Sequence, residues 1–431
     1  MEDSLILKRY EDFKNYKRTD TKEKEKFILS TKAIIDDVRE NGDSALIKYS
    51  RMFDNVNVED FNFLTTDEEI ESAINYVKEN YSEIFELFLE AAKNVKEFHE
   101  KQLETSYSFK KDGALMGMKV EPLDSVLAYV PGGKAFYPST AIMNIVPAKV
   151  AGVKKIFMTT PPDENGRVKN PLSIAIAVEL GVDCIYKLGG AHAIAAFTYG
   201  TESIPAVAKI VGPGNIYVAT AKKLVMGVVG IDSIAGPSEV MIFADEKANP
   251  DWVAIDLCAQ AEHTGDNMLI LVSTSMDFIK KVESSLEKIL PSLKRKELIR
   301  KSLENFAFSV FVKNYEEGFE IVNLVAPEHV EVIIDMDVWS ILKNIRNAGA
   351  IFIGEFTPVA LGDYFAGPNH VLPTNGTAVF SSPLGVYDFV KRSSFLSVDK
   401  NYILKNAEKV VKLAFFEELD AHASSILFRT K

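Results

Sequence analysis

Apolar positions recur at three- and four-residue spacing through the first hundred residues, as in Ala33, Ile34 and Val38 and again in Ile74, Val77, Ile84 and Leu87. That spacing predicts helix after helix, with the Lys and Glu residues between them as solvated faces. From about residue 124 the pattern changes to short apolar, β-branched runs closed by Gly or Pro turns and followed by helical stretches. The runs are SVLAYV, KKIFMTT, DCIYKLG and AKIVG. Strands alternating with helices predict βαβ units and a parallel sheet. A second set follows at EVMIFAD, MLILVST, FSVFVKN, VEVIID and AGAIFIGEF, with helices expected over 252–262, 278–288 and 315–324. Two α/β units of similar style result, without a residue-level repeat. Residues 357–384 are rich in Gly, Pro, Asn and Thr and carry no periodicity, and a long loop in a compact domain is more often functional than idle. Helix returns over 405–427.

A chain of 431 residues is too long for one compact core, so several domains are expected. Forty-nine basic against 61 acidic residues leave a net charge of −12, which argues against a duplex nucleic acid as partner. Two cysteines, Cys184 and Cys258, imply a reducing compartment without a disulfide framework, hence a cytoplasmic location. The apolar stretch 224–235 is broken by Gly227, Gly230 and Asp232, short of the ~20 residues needed to cross a bilayer. No membrane association is expected. The N-terminal 26 residues place charges on both sides of a short apolar patch, unlike a secretory leader.

Candidate chemistry gathers in a few segments. Gln260 and His263, three apart in DLCAQAEHTGDN, fall roughly 60° apart around a helix and can serve one site, although Gln is an uncommon metal ligand. Glu328 and His329 follow Pro327 at a helix-to-strand junction, where an adjacent acid and imidazole suit general base work as well as a plain surface pair. Asp363, on a Gly-flanked backbone, and His370 are metal candidates in the irregular section. Near the end, Glu417, Glu418, Asp420 and His422 cluster, and His422 shares a face with Glu418 if one helix runs through. Two Gly-rich turns after strands, VPGG at 130–133 and VGPGN at 211–215, can offer backbone N–H groups to a phosphate, although neither is the GxGxxG fingerprint. Ser238, in AGPSEV, is a ligand contact or a turn hydroxyl.

Taken together, AYVPGG (128–133), GGAHAIAAFTYGT (189–201), VGPGN, AGPSEV (235–240), QAEH (260–263), APEHVE (326–331), GDYFAGPNHVLPT (362–374) and EELDAH (417–422) resemble the histidinol dehydrogenase family across nearly the whole chain. The resemblance implies two incomplete Rossmann-like α/β domains with parallel-type sheets and small helical N- and C-terminal extensions. The expected divisions are a helical extension over 1–27, one α/β domain from 28–128 with 237–384, a second over 129–236, and a C-terminal arm over 385–431. It also implies two successive NAD-dependent oxidations of L-histidinol through L-histidinal to L-histidine, the last steps of histidine synthesis. One zinc per subunit is implied, held by Gln260, His263, Asp363 and His422. Glu328 and His329 become the paired bases, with His329 taking the O–H proton and Glu328 activating water. Substrate contacts fall on Ser238, Gln260, His263, His329, Asp363, Glu417 and His422, and NAD contacts on Tyr129, His192 and Asn215. His192 departs from the family, which has Gln there. The family is an intertwined homodimer, so Glu417 and His422 are expected in the partner's active site.

Two other readings compete. A relative that oxidises another small amino or sulfonated alcohol with NAD is disfavoured by Gln260, His263, Asp363, Glu417 and His422. A zinc hydrolase is disfavoured because QAEH lacks the second helical His of an HExxH motif.

Overall fold

Three sheets organise the chain in a computed structural model that describes residues 6–9, 23–58, 61–132 and 137–431. The largest contains β1 (Ile6–Arg9), β9 (Glu239–Ala244), β10 (Met268–Ser273), β11 (Ala307–Phe311), β12 (His329–Ile333) and β13 (Ala350–Ile353). All its neighbours are parallel, in the order β1-β11-β10-β9-β12-β13. The second contains β4 (Ser125–Tyr129), β5 (Lys155–Thr159), β6 (Cys184–Tyr186), β7 (Lys209–Val211) and β8 (Gly230–Ile231), parallel throughout, in the order β6-β5-β4-β7-β8. The third is antiparallel and small: β14 (Val390–Val398), β3 (Ala114–Pro122) and β2 (Tyr107–Lys111), with β3 central.

The near-continuous apolar runs of β9 and β10 follow from cover on both faces. Val240 and Ile242 of β9 pack with α8 (Pro250–Ala261), α9 (Met276–Ile289) and α10 (Lys296–Phe306) through Leu257, Leu286 and Leu303. Met241 and Phe243, one residue out of step, face α11 (Tyr315–Val325) and α12 (Val338–Asn344) through Phe319, Val322 and Ile341. In the five-stranded sheet, Leu127 and Tyr129 face α1 (Glu23–Phe53), which breaks at Gly42, together with α6 (Gly190–Tyr199) and α7 (Ile216–Val225). Val126 and Ala128 face α4 (Pro138–Ala151) and α5 (Pro171–Glu179), with α2 (Asp67–Asn80) and α3 (Ser82–Glu100) outside them.

The likeness between the two α/β units is topological. In the smaller sheet β5 and β6 lie to one side of β4, β7 and β8 to the other. The larger sheet repeats this plan about β9, with β10 and β11 on one side and β12 and β13 on the other, and adds β1 beyond β11.

Several expectations change. Helices α1 to α3 lie on the five-stranded sheet, where their apolar faces meet α4 to α7. The border at 129 also falls inside that sheet, since β4 begins at Ser125. Ahead of the N-terminal helix, Ile6–Arg9 forms the edge strand of the larger sheet, and residues 10–22 of the expected extension lie outside the described residues. The C-terminal arm opens as a strand, β14, before two helices, α14 (Lys400–Phe416) and α15 (Asp420–Thr430), that pack on each other. No described helix is long and apolar enough to cross a membrane.

Candidate active site

His329 is the centre of the site. Helix α11 ends at Ala326, whose left-handed backbone (φ 49°) turns the chain through Pro327 into β12, so Glu328 and His329 stand at the amino end of that strand. Both are buried. His329 Nδ1 lies 3.0 Å from the carbonyl oxygen of Glu239 at the start of neighbouring β9, which assigns its proton to Nδ1 and leaves Nε2 as the basic atom. The Gln260 amide nitrogen lies 3.1 Å from the same Nδ1. On the other side of the ring, Asp363 Oδ1 is 3.7 Å from Nε2, an ion-pair distance too long for a hydrogen bond.

Glu328 is fixed by a reciprocal clasp. The Glu239 N–H donates to Glu328 Oε2 at 2.9 Å, and the Glu328 N–H donates to Glu239 Oε2 at 3.4 Å. Burial pushes the Glu328 carboxyl up to about 7, partly offset by His329. Burial alone would lower His329, but the carboxylates of Glu328 and Asp363 outweigh it and raise the imidazole to about 9. Burial likewise opposes a charge on Asp363, yet the His329 ring beside it holds the carboxyl below its ordinary range.

The remaining expected residues are placed less uniformly. Gln260 occupies the last turn of α8, but His263 lies past the helix end, which comes at Ala261 because Glu262 already caps it. The helical angle between them therefore does not apply. His263 nevertheless feels the charges of Asp363 and His329, although burial lowers it overall. Asp363 is not in irregular chain: it sits in the six-residue helix α13 (Val359–Tyr364). His370 Nδ1 lies 3.0 Å from the Asp363 carbonyl oxygen and braces that residue from behind. Ser238 is half-buried at the entry to β9, its carbonyl accepting the Met268 N–H. The last two diverge from this cluster. Glu417 caps α14, Glu418 takes a left-handed turn (φ 61°), and α15 starts afresh at Asp420, so one helix does not carry Glu418 and His422 on a common face. His422 is exposed on α15.

Gln260, His263 and Asp363 bring an amide, an imidazole and a carboxylate to one place, donor types that suit zinc or another borderline divalent cation. They do not make a closed centre. Among the described residues, no group of three or more His, Cys, Asp and Glu side chains is assembled to hold a metal.

Tyr129, His192 and Asn215 belong to the five-stranded sheet. Its strand order reverses between β4 and β7, and open α/β sheets bind ligands outside the carboxyl ends of the strands at that switch point. Tyr129 ends β4 and Asn215 follows β7. Gly133 of the VPGG turn lies outside the described residues. Tyr129 is buried, its hydroxyl accepting the Gly190 N–H at 3.0 Å, while Asn215 is exposed and caps α7 through the N–H groups of Tyr217 and Val218. Gly212 requires glycine twice over: its φ is +112°, and a Cβ there would lie 2.2 Å from the Tyr129 carbonyl oxygen. Its peptide groups are held by a buried ion pair, the N–H donating to Asp232 (2.7 Å) and the carbonyl accepting from Lys222 (2.9 Å). His192 is 1% exposed and faces Tyr49, Phe53 and Asp54 of the α1 end, with its Nε2 3.8 Å from Asp54.

Sequence reasoning missed Glu239, Lys222, Asp232 and Glu331. The available signal was a charged residue inside an apolar strand or helix run, where burial demands a partner. Burial pushes the Glu331 carboxyl up, the nearby Asp256 adds to that rise, and burial raises Asp256 as well.

The fold and this cluster define an α/β enzyme with an acid–imidazole pair at the amino edge of one doubly wound sheet and a strand-order switch point at the carboxyl edge of another. The profile of the histidinol dehydrogenase family matches residues 17–430, and the chain belongs to that family of oxidoreductases. The histidinol dehydrogenase of Clostridium acetobutylicum is 50% identical over 422 residues, 97% of this chain and 96% of that one. That of Aquifex aeolicus is 46% identical over 405 residues, 94% and 93% of the two chains. Among solved structures, histidinol dehydrogenase from Elizabethkingia anophelis superposes with a TM-score of 0.91 at 33% identity, covering 100% of this chain and 98% of its own.

Proposed function

We propose that this chain oxidises L-histidinol through L-histidinal to L-histidine in two successive NAD-dependent steps at a zinc site, closing histidine synthesis in the cytoplasm. The observation that carries this reading is the convergence of Gln260, Asp363 and Glu328 on His329 in a member of this family.

Gln260, His263 and Asp363 would hold the zinc from one subunit and His422 from its partner. When bound, the ion supplies a positive charge that fixes the substrate and draws the His329 pKa down, so that Nε2 is free to accept a proton. NAD supplies the hydride acceptor in each oxidation. His329 Nε2 takes the alcohol O–H proton as hydride leaves the carbon. Glu328, neutralised readily because burial has raised it, then takes a proton from the water that adds to the aldehyde, and the hydrated carbon gives up the second hydride. Ser238 and Glu417 contact the substrate. Tyr129, His192 and Asn215 contact NAD at the switch point of the smaller sheet, so catalysis and dinucleotide binding fall to the two related units.

The homodimer assigned here rests on the exposed arm. Helices α14 and α15 leave Leu413, Phe416 and Phe428 open, Phe416 at 89%, as expected of a surface that a second copy covers. The test is direct: purified protein treated with a strong chelator, then restored with zinc, and assayed with L-histidinol and NAD. NADH formation that is abolished by chelation and returns with zinc is expected. Full activity without metal, or none with L-histidinol after zinc is restored, contradicts the proposal.

A further inference from the structure

Glu331 follows His329 by two residues on β12, so strand alternation turns both side chains to the same face. It is 2% exposed, and a carboxyl so buried needs a partner. That partner is a backbone group: Glu331 Oε1 accepts the Val359 N–H at 2.8 Å. Val359 is the first residue of α13, and the residue before it, Pro358, brings no side-chain hydrogen bond to the helix. The opening turn of a helix leaves its N–H groups without intrahelical partners, so a carboxyl from a neighbouring strand supplies what the local sequence lacks. Asp363 lies four residues after Val359, on the same side of the helix and one turn along.

A second contact fixes the other end of α13. Gly362 packs so closely on β13 that a Cβ there would come 2.5 Å from Phe352 Cε1, and the Phe352 ring lies 6.1 Å from the ring of His329. The helix that carries Asp363 is thus held at its first peptide by the strand that carries His329, and near its last turn by the adjacent strand.

We infer that Glu331 is a positioning residue: by anchoring the first peptide of α13 to β12 it sets Asp363 against His329 and so fixes the geometry of the metal ligand. The inference rests on the reading of Asp363 as a zinc ligand. What matters is reach and an acceptor oxygen. Gln keeps both, whereas Asp keeps the charge but is one methylene, ~1.5 Å, too short.

The test is a zinc titration of the chelated, full-length protein against a chromophoric chelator, with thermal unfolding of the metal-free proteins as a control. Glu331→Gln is expected within about threefold of the wild-type zinc affinity, while Glu331→Asp and Glu331→Ala weaken it about 10- to 100-fold, the usual range for a partner that orients a ligand. If the Ala variant fails to fold, the Gln and Asp variants still decide. Near-wild-type affinity in Glu331→Asp, or a loss in Glu331→Gln equal to that in Ala, overturns the inference. Asp363→Asn separates the two claims. If it does not weaken zinc binding, the metal reading itself has failed, and the role given to Glu331 falls with it. If it does weaken binding while Glu331→Asp does not, Glu331 alone has been misassigned.

Discussion

At the residue scale, the division of labour proposed for Glu328 and His329 follows from where their neighbours stand. The imidazole has a carbonyl oxygen at one nitrogen and a carboxylate near the other, which suits proton removal at a defined atom. Glu328 is held by backbone groups and raised toward neutrality by burial, which suits reversible exchange with water. Glu328→Gln is therefore expected to retain part of the alcohol oxidation and to lose the aldehyde step by about 10²-fold or more. Separate assays with L-histidinol and L-histidinal check this, and an equal loss in both steps would refute the assignment. The pair was legible in the sequence because an acid and an imidazole stand together at a helix-to-strand junction. Glu239 was not, since it opens an apolar strand, EVMIFA, where the fold alone reveals that it meets Glu328 from 89 residues away.

At the element scale, the two sheets share a strand plan, and the proposed reaction would use opposite edges of them. The smaller sheet offers its carboxyl edge at Tyr129 and Gly212, while the larger places Glu239, Glu328 and His329 at the amino ends of its strands. At the corresponding carboxyl edge of the larger sheet, Asp245 accepts from Tyr315 Oη (2.7 Å), the Asp335 N–H (2.7 Å) and the Lys247 N–H (2.9 Å). The segment after α13 ties the units together: Asn369 donates to the Met143 carbonyl in α4 at 2.7 Å and its amide lies 3.4 Å from His99 Nε2 in α3, while His99 Nδ1 lies 2.7 Å from the Val95 carbonyl. Burial holds His99 below its ordinary 6.5, so the folded chain binds this proton less readily than the unfolded one. Its stabilising contribution is complete above that value and is lost as the pH falls below it, by up to about 1.4 kcal/mol per pH unit. Urea unfolding of wild type and His99→Gln from neutral to mildly acidic pH should show the steeper decline in the wild type; parallel curves would contradict this. Strand–helix alternation was readable because both sheets are covered on two faces. The antiparallel sheet was not, because β2 and β14 are solvent-exposed and lack a buried periodic face, and β14 pairs with β3 from far apart in the chain. Local periodicity also could not say which sheet α1 to α3 would cover, since that depends on the faces they meet.

At the scale of the whole molecule, the proposed metal set is incomplete in one chain. Gln260, His263 and Asp363 gather beside His329, whereas His422 stands exposed on an arm whose helices pack on each other. An arm reaching into a second copy accounts for both facts, and for the apolar side chains it leaves open. Mixing inactive His422→Ala with inactive Glu328→Ala under subunit exchange should then restore roughly a quarter of wild-type activity, because each mixed dimer rebuilds one intact site of two. No recovery despite confirmed exchange would count against a shared site. The EELDAH segment was recognisable, but its partner lies in no periodic pattern of a single chain. The central claim, two oxidations at one zinc-dependent site, is tested most directly by the stoichiometry of complete turnover with limiting L-histidinol and excess NAD. Two NADH formed per histidinol, with histidine as the product, is the predicted result; one NADH with histidinal accumulating, or no NADH at all, would contradict it.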